Sequence, residues 1–410
     1  MRDLLARFAA LPQFAALRFR DFRLLWTASV LSATARWADM VVLGWLTLEL
    51  TDSAFWVGIV AGSKMAGYIA APFMGVIADR MDRRKLLIIA ALINLTVAAA
   101  MLVLILLKIL ALWHIIALAL CGSITWAIDN PTRQALMPDL VGKEHITNAV
   151  ALNAVAMEIT VVVGPALGGV LIPVMGMGGA YGLITAIFVL DVMVLFRMAN
   201  LQRVVPVKRE SPAQSLIAGF RYAWGHQLVL VLLIIALLMN FLAAPYRYAF
   251  LPLFARYILD TGSAGYGMLT AMAGIGALAA GIWVVSLGNV SGKGKYLIAS
   301  SLVWPAALLL FACSEWYSLS LALIFVAGLA QAICWTVIAT LILANTEPAM
   351  RGRVMGLRTG VVASLPVGNF IAGAVAERFG ASIAQGAFGA LAIVLMLVIV
   401  VMAPRLRRLE

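Results

Sequence analysis

The stretch "GVIADRMDRRKLL", residues 75–87, is a short, mostly basic turn between two long apolar runs. A helix needs about 20 apolar residues to cross the hydrocarbon core of a membrane, and the runs at 54–78 and 84–107 are both long enough. The stretch therefore predicts a turn between two transmembrane helices. The whole chain has a matching composition, since 64% of its 410 residues are hydrophobic and 12% are charged, whereas soluble domains are about 25% charged.

Turns and charged breaks divide the rest of the chain in the same way and predict twelve spans. They lie at 22–50, 54–78, 84–107, 111–131, 146–173, 178–199, 228–257, 263–287, 295–313, 317–344, 352–376 and 382–404. The predicted organisation is an N-terminal segment 1–21, an N-terminal bundle 22–199, a linker 200–227, a C-terminal bundle 228–404 and a tail 405–410. Within the linker, residues 213–224 carry apolar side chains at helical spacing, which predicts an amphipathic helix on the membrane surface. A plain linker is the alternative.

Two pairs of glycines indicate that the two sets of six spans are distant repeats. Gly164 and Gly368 are 204 positions apart, and so are Gly169 and Gly373. Two six-helix halves related by an axis along the membrane normal are a known transporter architecture.

Lysine and arginine predict the orientation, because they collect in cytoplasmic loops. With both termini in the cytoplasm, 24 of the 30 basic residues fall on the inner side. Three lie in outer loops, namely Lys108, Arg256 and Arg378. The other three lie within spans, namely Arg36, Lys64 and Arg247. The opposite orientation would reverse this distribution. The net charge of +12 is therefore a topology signal, and we expect no nucleic-acid partner.

The loop at 75–87 resembles the signature loop of the major facilitator superfamily. Five positions match that pattern, namely Gly75, Asp79, Arg80, Arg83 and Arg84, and Asp82 replaces its second glycine. Further stretches, including "DNPTRQALMPDLVGKEHITNAVALN" and "GFRYAWGHQ", resemble the bacterial enterobactin-exporter and drug-efflux branch. This resemblance implies an all-α fold of twelve transmembrane helices in two six-helix bundles, in the bacterial inner membrane.

The resemblance also implies a gate on the inner side of the membrane. In the family the loop acid, here Asp79, lies against the start of the eleventh span, where the helix dipole favours an anion. The second loop arginine, here Arg83, pairs with an acid at the inner end of the fourth span, here Asp129. The predicted gate comprises Gly75, Asp79, Arg80, Arg83, Asp129 and Arg133. The alternative is an ordinary basic loop without a gating role.

The fifth span carries "GPALGG", which resembles the motif of proton-driven antiporters, although Thr160 stands where that motif begins with glycine. Gly164 and Gly168 are four residues apart and, with Gly169, permit close helix approach. Pro165 lacks a backbone donor and bends helices. The motif therefore predicts a packing seam between the halves, and generic small-residue packing is the alternative.

Several ionisable residues fall within the spans, where each costs about 2.5–3.5 kcal/mol on insertion scales. Such residues face a polar interior and pair with one another. The family fold implies that five of them converge on one central cavity, namely Arg36, Asp39, Lys64, Glu158 and Arg247. Asp191 lies in the sixth span, which is peripheral in this fold, and is expected to cap a local contact or to face a neighbouring helix.

Arg36 and Asp39 share a helix face at i and i+3 spacing, which predicts a pair that opens when substrate or a proton arrives. A carboxylate whose neighbours change between two conformations changes its proton affinity. Asp39 is therefore one candidate proton carrier and Glu158 the other. The alternative is a static bridge that fixes helix packing.

The three basic residues within spans predict a substrate that is anionic or rich in oxygen acceptors. Aromatic walls with a few polar groups are typical of small-molecule sites, and the candidates are Trp37, Tyr68, Trp126, Tyr246, Trp335, Asn240 and Gln331. A siderophore or an amphipathic anionic drug would fit such walls.

We therefore predict a monomeric secondary transporter that exports a small molecule by proton antiport. The chain has no phosphate-binding loop of the G-x-x-x-x-G-K-[ST] type, so an ion gradient is the expected energy source. The sequence has no nucleophile–base pair or metal-ligand motif, so we expect no enzyme activity, cofactor or metal. An importer, a lysophospholipid-type facilitator and a non-transporting receptor or scaffold are the alternatives.

Overall fold

A computed structural model describes residues 12–69, 81–199, 212–287, 292–404 and 406, and every regular element in these ranges is a helix. A 3₁₀ turn at Pro12–Arg18 precedes the helices of the first half, which are α1 (Arg20–Thr51), α2 (Ala54–Met65), α3 (Arg83–Leu106), α4 (Leu112–Val141) and α5 (Ile146–Phe196). The remaining helices are α6 (Pro212–Gly225), α7 (Gln227–Leu238), α8 (Leu251–Tyr257), α9 (Gly262–Leu287), α10 (Lys293–Ala312), α11 (Tyr317–Ala344), α12 (Arg351–Val361), α13 (Ser364–Phe379) and α14 (Ala381–Met402).

The prediction of an all-helical membrane protein is confirmed. Across the described ranges, nine helical runs are long and apolar enough to cross a membrane. One of them, 143–196, covers two predicted spans, and Gly176 interrupts it with φ 70° and ψ 176°. A side chain other than glycine's is disfavoured at that positive φ, and Gly176 falls between the predicted spans 146–173 and 178–199. The number of twelve spans stays a prediction.

The predicted seventh span is broken in the structure. After α7 the backbone forms a π turn at Met239–Ala243 and a 3₁₀ turn at Ala244–Arg247 before α8 begins. Pro245 and Pro252 each remove a backbone donor and prevent a continuous helix. Irregular backbone at membrane depth requires cover by protein or a polar cavity, and both turns are largely buried.

Two helix crossings join the halves, α5 with α9 and α2 with α13. Each crossing occurs at a glycine pair, Gly169 with Gly267 and Gly58 with Gly373. A Cβ on Gly169 would lie 2.7 Å from the Cα of Gly267, and a Cβ on Gly58 would lie 2.7 Å from the Cα of Gly373. Because both contacts are backbone to backbone, only glycine permits them. The equivalence of the crossings agrees with the repeat that the sequence indicates.

Helix α6 forms where the sequence predicts an amphipathic helix. It packs on α12, since a Cβ on Gly219 would lie 2.9 Å from the carbonyl oxygen of Arg353. Its other face exposes Ile217, Phe220 and Trp224. A location on the membrane surface stays a prediction.

Candidate functional site

A cavity of about 640 Å³ lies between the halves and is the main candidate site. Its volume falls in the range of about 300–1,000 Å³ that is typical of small-molecule pockets. We call it the central cavity. The first half contributes Arg36, Trp37, Tyr68, Trp126, Asp129, Arg133 and Glu158, and α6 and α12 contribute Leu216, Arg353, Gly356, Thr359 and Gly360.

Contacts between the halves close one end of the molecule, which we call the closed end. Asp52, which follows α1, accepts a 2.6 Å hydrogen bond from the Tyr257 hydroxyl and lies 3.0 Å from the Arg256 guanidinium. Glu377 on α13 accepts hydrogen bonds from Ser53 Oγ at 3.0 Å and from the backbone N–H of Phe55 at 3.1 Å. Both glycine crossings lie near these contacts.

The opposite end, which we call the open end, is much looser among the described residues. Gly356 and Gly360 of α12 line the central cavity, and a Cβ on either one would meet no atom within 4 Å. Thr359 beside them is exposed. The same pair of helices, α12 and α13, is thus in tight contact with the other half at one end and separated from it by empty space at the other.

Asp129 is shared by two arginines on the cavity wall. Its Oδ2 lies 2.9 Å from Arg36 Nη1, and its Oδ1 accepts a 2.9 Å hydrogen bond from Arg133 Nε. Arg36 also donates to Ser32 Oγ at 2.7 Å, and its guanidinium carbon lies 5.4 Å from the centre of the Trp126 ring. Arg36 therefore reaches across to α4, and the predicted Arg36–Asp39 pair does not form.

Asp191 of α5 extends this charged group away from the cavity. Its Oδ1 lies 3.9 Å from Arg133 Nη2, and the residue is fully buried. Asp191 thus contacts a neighbouring helix, as expected from its peripheral span.

Asp39 is held from two other helices. Lys64 of α2 donates to Asp39 Oδ2, and the Tyr181 hydroxyl donates to Asp39 Oδ1 at 3.1 Å. Asp39 and Lys64 line a separate space of about 10 Å³. Arg36 and Trp126 line both this space and the central cavity, so they form the wall between the two. Because that space holds about one water molecule, Asp39 and Lys64 lie behind the cavity wall. The predicted convergence of all five ionisable residues on one space is therefore wrong.

Glu158, in contrast, is exposed on the wall of the central cavity. Within the described part of the chain it makes no hydrogen bond or ion pair. Arg247 of the other half is the cation close enough to interact with its charge.

The remaining predicted residues surround a second cavity of about 270 Å³ in the C-terminal half. Asn240, Arg247, Gln331 and Trp335 line it, together with Tyr248 and Arg358. Tyr246 is fully buried beside it and donates to Gln331 Oε1 at 3.4 Å. Arg358 was not among the predicted cavity residues, because the predicted topology assigns it to the basic residues of the inner side. Its position inside the predicted span 352–376 was the available signal.

The predicted inner gate is only partly described. Gly75, Asp79 and Arg80 lie outside the described residues. Arg83 pairs with Asp139 at 2.8 Å and donates to the Ala135 carbonyl at 2.9 Å. The predicted Arg83–Asp129 pair is therefore absent, because Asp129 is buried with Arg36 and Arg133 while Asp139 lies near the accessible end of α4.

The "GPALGG" motif packs in two directions. Gly164 and Gly168 face α1 of the same half, where an added Cβ would lie 2.5 Å from Trp37 Cβ and 2.6 Å from the Ala38 carbonyl oxygen, respectively. Gly169 faces α9 of the other half. Pro165 is buried between them, with its carbonyl against Gly267. The seam between the halves thus includes Gly169, but Gly164 and Gly168 pack within the first half.

No group of three or more His, Cys, Asp and Glu side chains that could hold a metal occurs in the part of the chain that the structure describes. The site is thus a pair of cavities with aromatic, cationic and anionic walls, positioned for binding a small molecule between two helical halves.

Comparison with known proteins gives three findings. The family model of transmembrane secretion effectors matches residues 11–410. Enterobactin exporter EntS of Shigella boydii serotype 18 is 28% identical over 378 residues, which are 88% of this chain and 84% of that protein. EntS of Escherichia coli O139:H28 matches to the same extent.

Solved structures share the fold at low sequence identity. The nucleoside transporter NupG superposes with a TM-score of 0.74 at 13% identity, covering 93% of this chain and 99% of that one. A bacterial homolog of the human lysosomal transporter Spinster, in an inward-facing and unoccupied conformation, gives 0.70 at 14% identity, covering 94% and 95%.

Proposed function

The chain belongs to the transmembrane secretion effector family of the major facilitator superfamily, and from this premise we propose that it exports a small amphipathic molecule by proton antiport. It is a multi-pass transporter of the bacterial inner membrane whose substrate is a small molecule. The proposed architecture is twelve transmembrane helices in two six-helix bundles, working as a monomer with both termini in the cytoplasm.

The observation that carries the proposal is the central cavity, closed at one end by contacts between the halves and open at the other. Transporters of this architecture move substrate by rocking one half against the other around a fixed site. The distribution of lysine and arginine supports a cytoplasmic position for the open end. A cavity open to the cytoplasm is the state in which an exporter takes up its substrate.

The wall of the central cavity supports an amphipathic substrate. Trp37, Tyr68 and Trp126 supply flat apolar surface, and Gln134, Asn153 and Thr359 add neutral polar groups. The relatives named above are enterobactin exporters. By this likeness we propose a siderophore-like, oxygen-rich compound as the substrate class, with an amphipathic drug as the second possibility within the same chemistry.

Two acids are proposed to couple transport to protons. Glu158 lies in the cavity, where water from the open end can deliver or accept a proton. Asp39 is the second proposed carrier, and a conformational change that separates it from Lys64 and Tyr181 would remove both of its hydrogen-bond donors. Moving one charge through a potential of 100 mV supplies about 2.3 kcal/mol. One proton per cycle therefore supplies enough energy to export the substrate against a concentration gradient.

Uptake of labelled enterobactin into inverted membrane vesicles tests the proposal. We expect accumulation when the vesicle lumen is acidic and its collapse when the pH gradient is dissipated. Asp39→Asn or Glu158→Gln is expected to abolish gradient-driven accumulation, whereas Glu144→Gln, an exposed acid at the open end, retains it. Accumulation that both of these acid variants retain would contradict proton coupling through either acid. Accumulation only in right-side-out vesicles would make the chain an importer.

A further inference from the structure

We propose that the second cavity is an anion-binding site, in which Arg247 and Arg358 hold a carboxylate or phosphate group of the transported molecule. The inference rests on the proposed function, because it assigns one chemical group of the substrate to one place. The site lies entirely in the C-terminal half of the chain.

Arg247 is a buried cation with unused hydrogen-bond donors. It is only 7% exposed. Its Nη2 donates to the Tyr246 hydroxyl at 3.2 Å and to Gln331 Oε1 at 3.3 Å. A guanidinium carries five N–H donors in a planar fork, and Nε of Arg247 is buried without an acceptor. A buried donor without an acceptor is destabilising, so the site is incomplete as it stands.

Arg358 brings a second positive charge to the same cavity. Its Nε is also buried without an acceptor. The cavity lining contains no Asp or Glu, and in the ranges that the structure describes no carboxylate lies within 4 Å of either arginine. Glu158 interacts with Arg247 only over a longer distance. Two like charges on one small, partly dehydrated cavity repel each other, and an anion between them removes that repulsion.

The broken seventh span positions Arg247 for this role. The π and 3₁₀ turns at 239–247 place Asn240 and Arg247 on the same cavity. Helix breaks of this kind occur at the midplane binding sites of transporters, where irregular backbone lines a cavity. Gln331 and Tyr246 accept from Nη2, whereas the buried Nε–H has no acceptor. This Nε–H can donate a charge-assisted hydrogen bond to an oxygen of a carboxylate or phosphate.

The volume and neighbours of the second cavity limit what enters it. The volume of about 270 Å³ lies just below the range of about 300–1,000 Å³ that is typical of small-molecule pockets, which is enough for an acidic group on one ring but not for a bulky amphipathic compound. Trp335 offers a flat wall. Trp37 lines the central cavity, and its ring centre lies 5.9 Å from the guanidinium carbon of Arg247. We infer that the acidic group occupies the second cavity while the larger apolar body lies in the central cavity.

Binding of matched probes to the purified full-length protein tests the site. Naphthoate carries a carboxylate on an aromatic ring, and naphthamide is its uncharged isostere. In calorimetric titrations in detergent we expect the wild type to bind naphthoate at least about tenfold more tightly than naphthamide, because losing charge-assisted hydrogen bonds costs more than that factor. We also expect the wild type to bind naphthyl phosphate more tightly than naphthamide.

Variants identify the arginines as the source of the preference. Arg247→Gln and Arg358→Gln are each expected to lower the naphthoate-to-naphthamide ratio towards one, and Arg378→Gln, an exposed arginine outside both cavities, is expected to keep it. Gln331→Glu supplies an internal carboxylate to Arg247 without removing a cation, so it tests the site even where an arginine variant fails to fold. It too is expected to abolish the preference.

An equal affinity of the wild type for both probes, or no measurable binding of either, would overturn the anion site. So would a preference that persists in all three cavity variants. The outcome of the vesicle assay is independent of the outcome of the binding titrations. Loss of pH-dependent transport with an intact preference would refute proton antiport and leave the anion site standing, and the converse result would refute the anion site alone.

Discussion

At the scale of single residues, Asp129 holds the charged wall of the central cavity together. One carboxylate satisfies both Arg36 and Arg133 at 2.9 Å, and all three side chains are at most 12% exposed. Charges removed from water require compensation by partners of opposite sign. Removing Asp129 would therefore leave Arg36 and Arg133 on the same wall without their shared carboxylate. The nearest remaining acid is Asp191, 3.9 Å from Arg133.

Replacing Asp129 by Asn is expected to destabilise the protein strongly. Breaking a buried ion pair by removing one partner costs about 3–5 kcal/mol. The matched control is Asp139→Asn on the same helix, which removes the accessible partner of Arg83 and should cost at most about 1 kcal/mol. Thermal unfolding in detergent ranks the two variants. Equal shifts of the unfolding midpoint would show that Asp129 does not hold a buried charge network.

The sequence identified the charged residues of the site but not their partners. Arg36 and Asp39 are one helical turn apart, yet each pairs with a different helix. Spacing along one helix shows which side chains share a face, whereas the choice between a neighbour at i+3 and an acid on α4 depends on how the helices pack. Arg83 illustrates the same limit, because Asp129 and Asp139 lie on one helix and only the packing selects Asp139.

At the scale of elements, two glycine crossings set how closely the halves approach. The pairs Gly58–Gly373 and Gly169–Gly267 both lie near the closed end. In lipid no hydrophobic effect drives helices together, so close backbone approach at small residues supplies the contact. Because the backbones at these crossings touch directly, each contact is either made or broken. Such contacts fit a protein that alternates between two conformations.

Gly58→Leu is expected to prevent the closed end from closing. A Cβ at this position would lie 2.5 Å from the Asn369 carbonyl oxygen in the other half, and overpacking costs about 1–3 kcal/mol. The ratio of closed to open molecules should then fall at least about fivefold. Gly281→Leu, at a glycine with no atom within 4 Å of the added Cβ, is the control.

Labelling measures this change. A single cysteine replaces Thr359 in a chain whose Cys121, Cys313 and Cys334 are replaced, and a membrane-impermeant maleimide is applied from the side of the open end. Slower labelling in Gly58→Leu than in Gly281→Leu is the expected result, because the open end closes when the closed end opens. Identical rates would show that the crossing does not control access to the cavity.

The sequence predicted individual helices well where apolar runs end in clear breaks. The predicted spans 317–344 and 382–404 correspond to Tyr317–Ala344 and Ala381–Met402. The seventh span was predicted as continuous because its hydropathy is uninterrupted, although Pro245 and Pro252 break the helix. Hydropathy reports burial in the membrane and carries no information on backbone continuity, so the second cavity formed by that break was not foreseen as a separate site.

At the scale of the whole molecule, we propose that the two halves rock against each other, so that the central cavity opens to one side of the membrane at a time. The structure is closed near Asp52 and Glu377 and open near Gly356 and Gly360. Each half packs internally as a bundle and contacts the other through few crossings. The halves can therefore move as units if the contacts at the closed end break while new ones form at the open end.

Distances between spin labels on opposite halves measure this motion most directly. Two pairs of exposed positions are suitable, Leu50 with Phe379 at the closed end and Glu144 with Ala349 at the open end. Double electron–electron resonance is recorded in lipid nanodiscs over a range of pH, with and without enterobactin. We expect the first distance to lengthen as the second shortens. Two distances that stay constant, or that change in the same direction, would contradict the rocking of the halves.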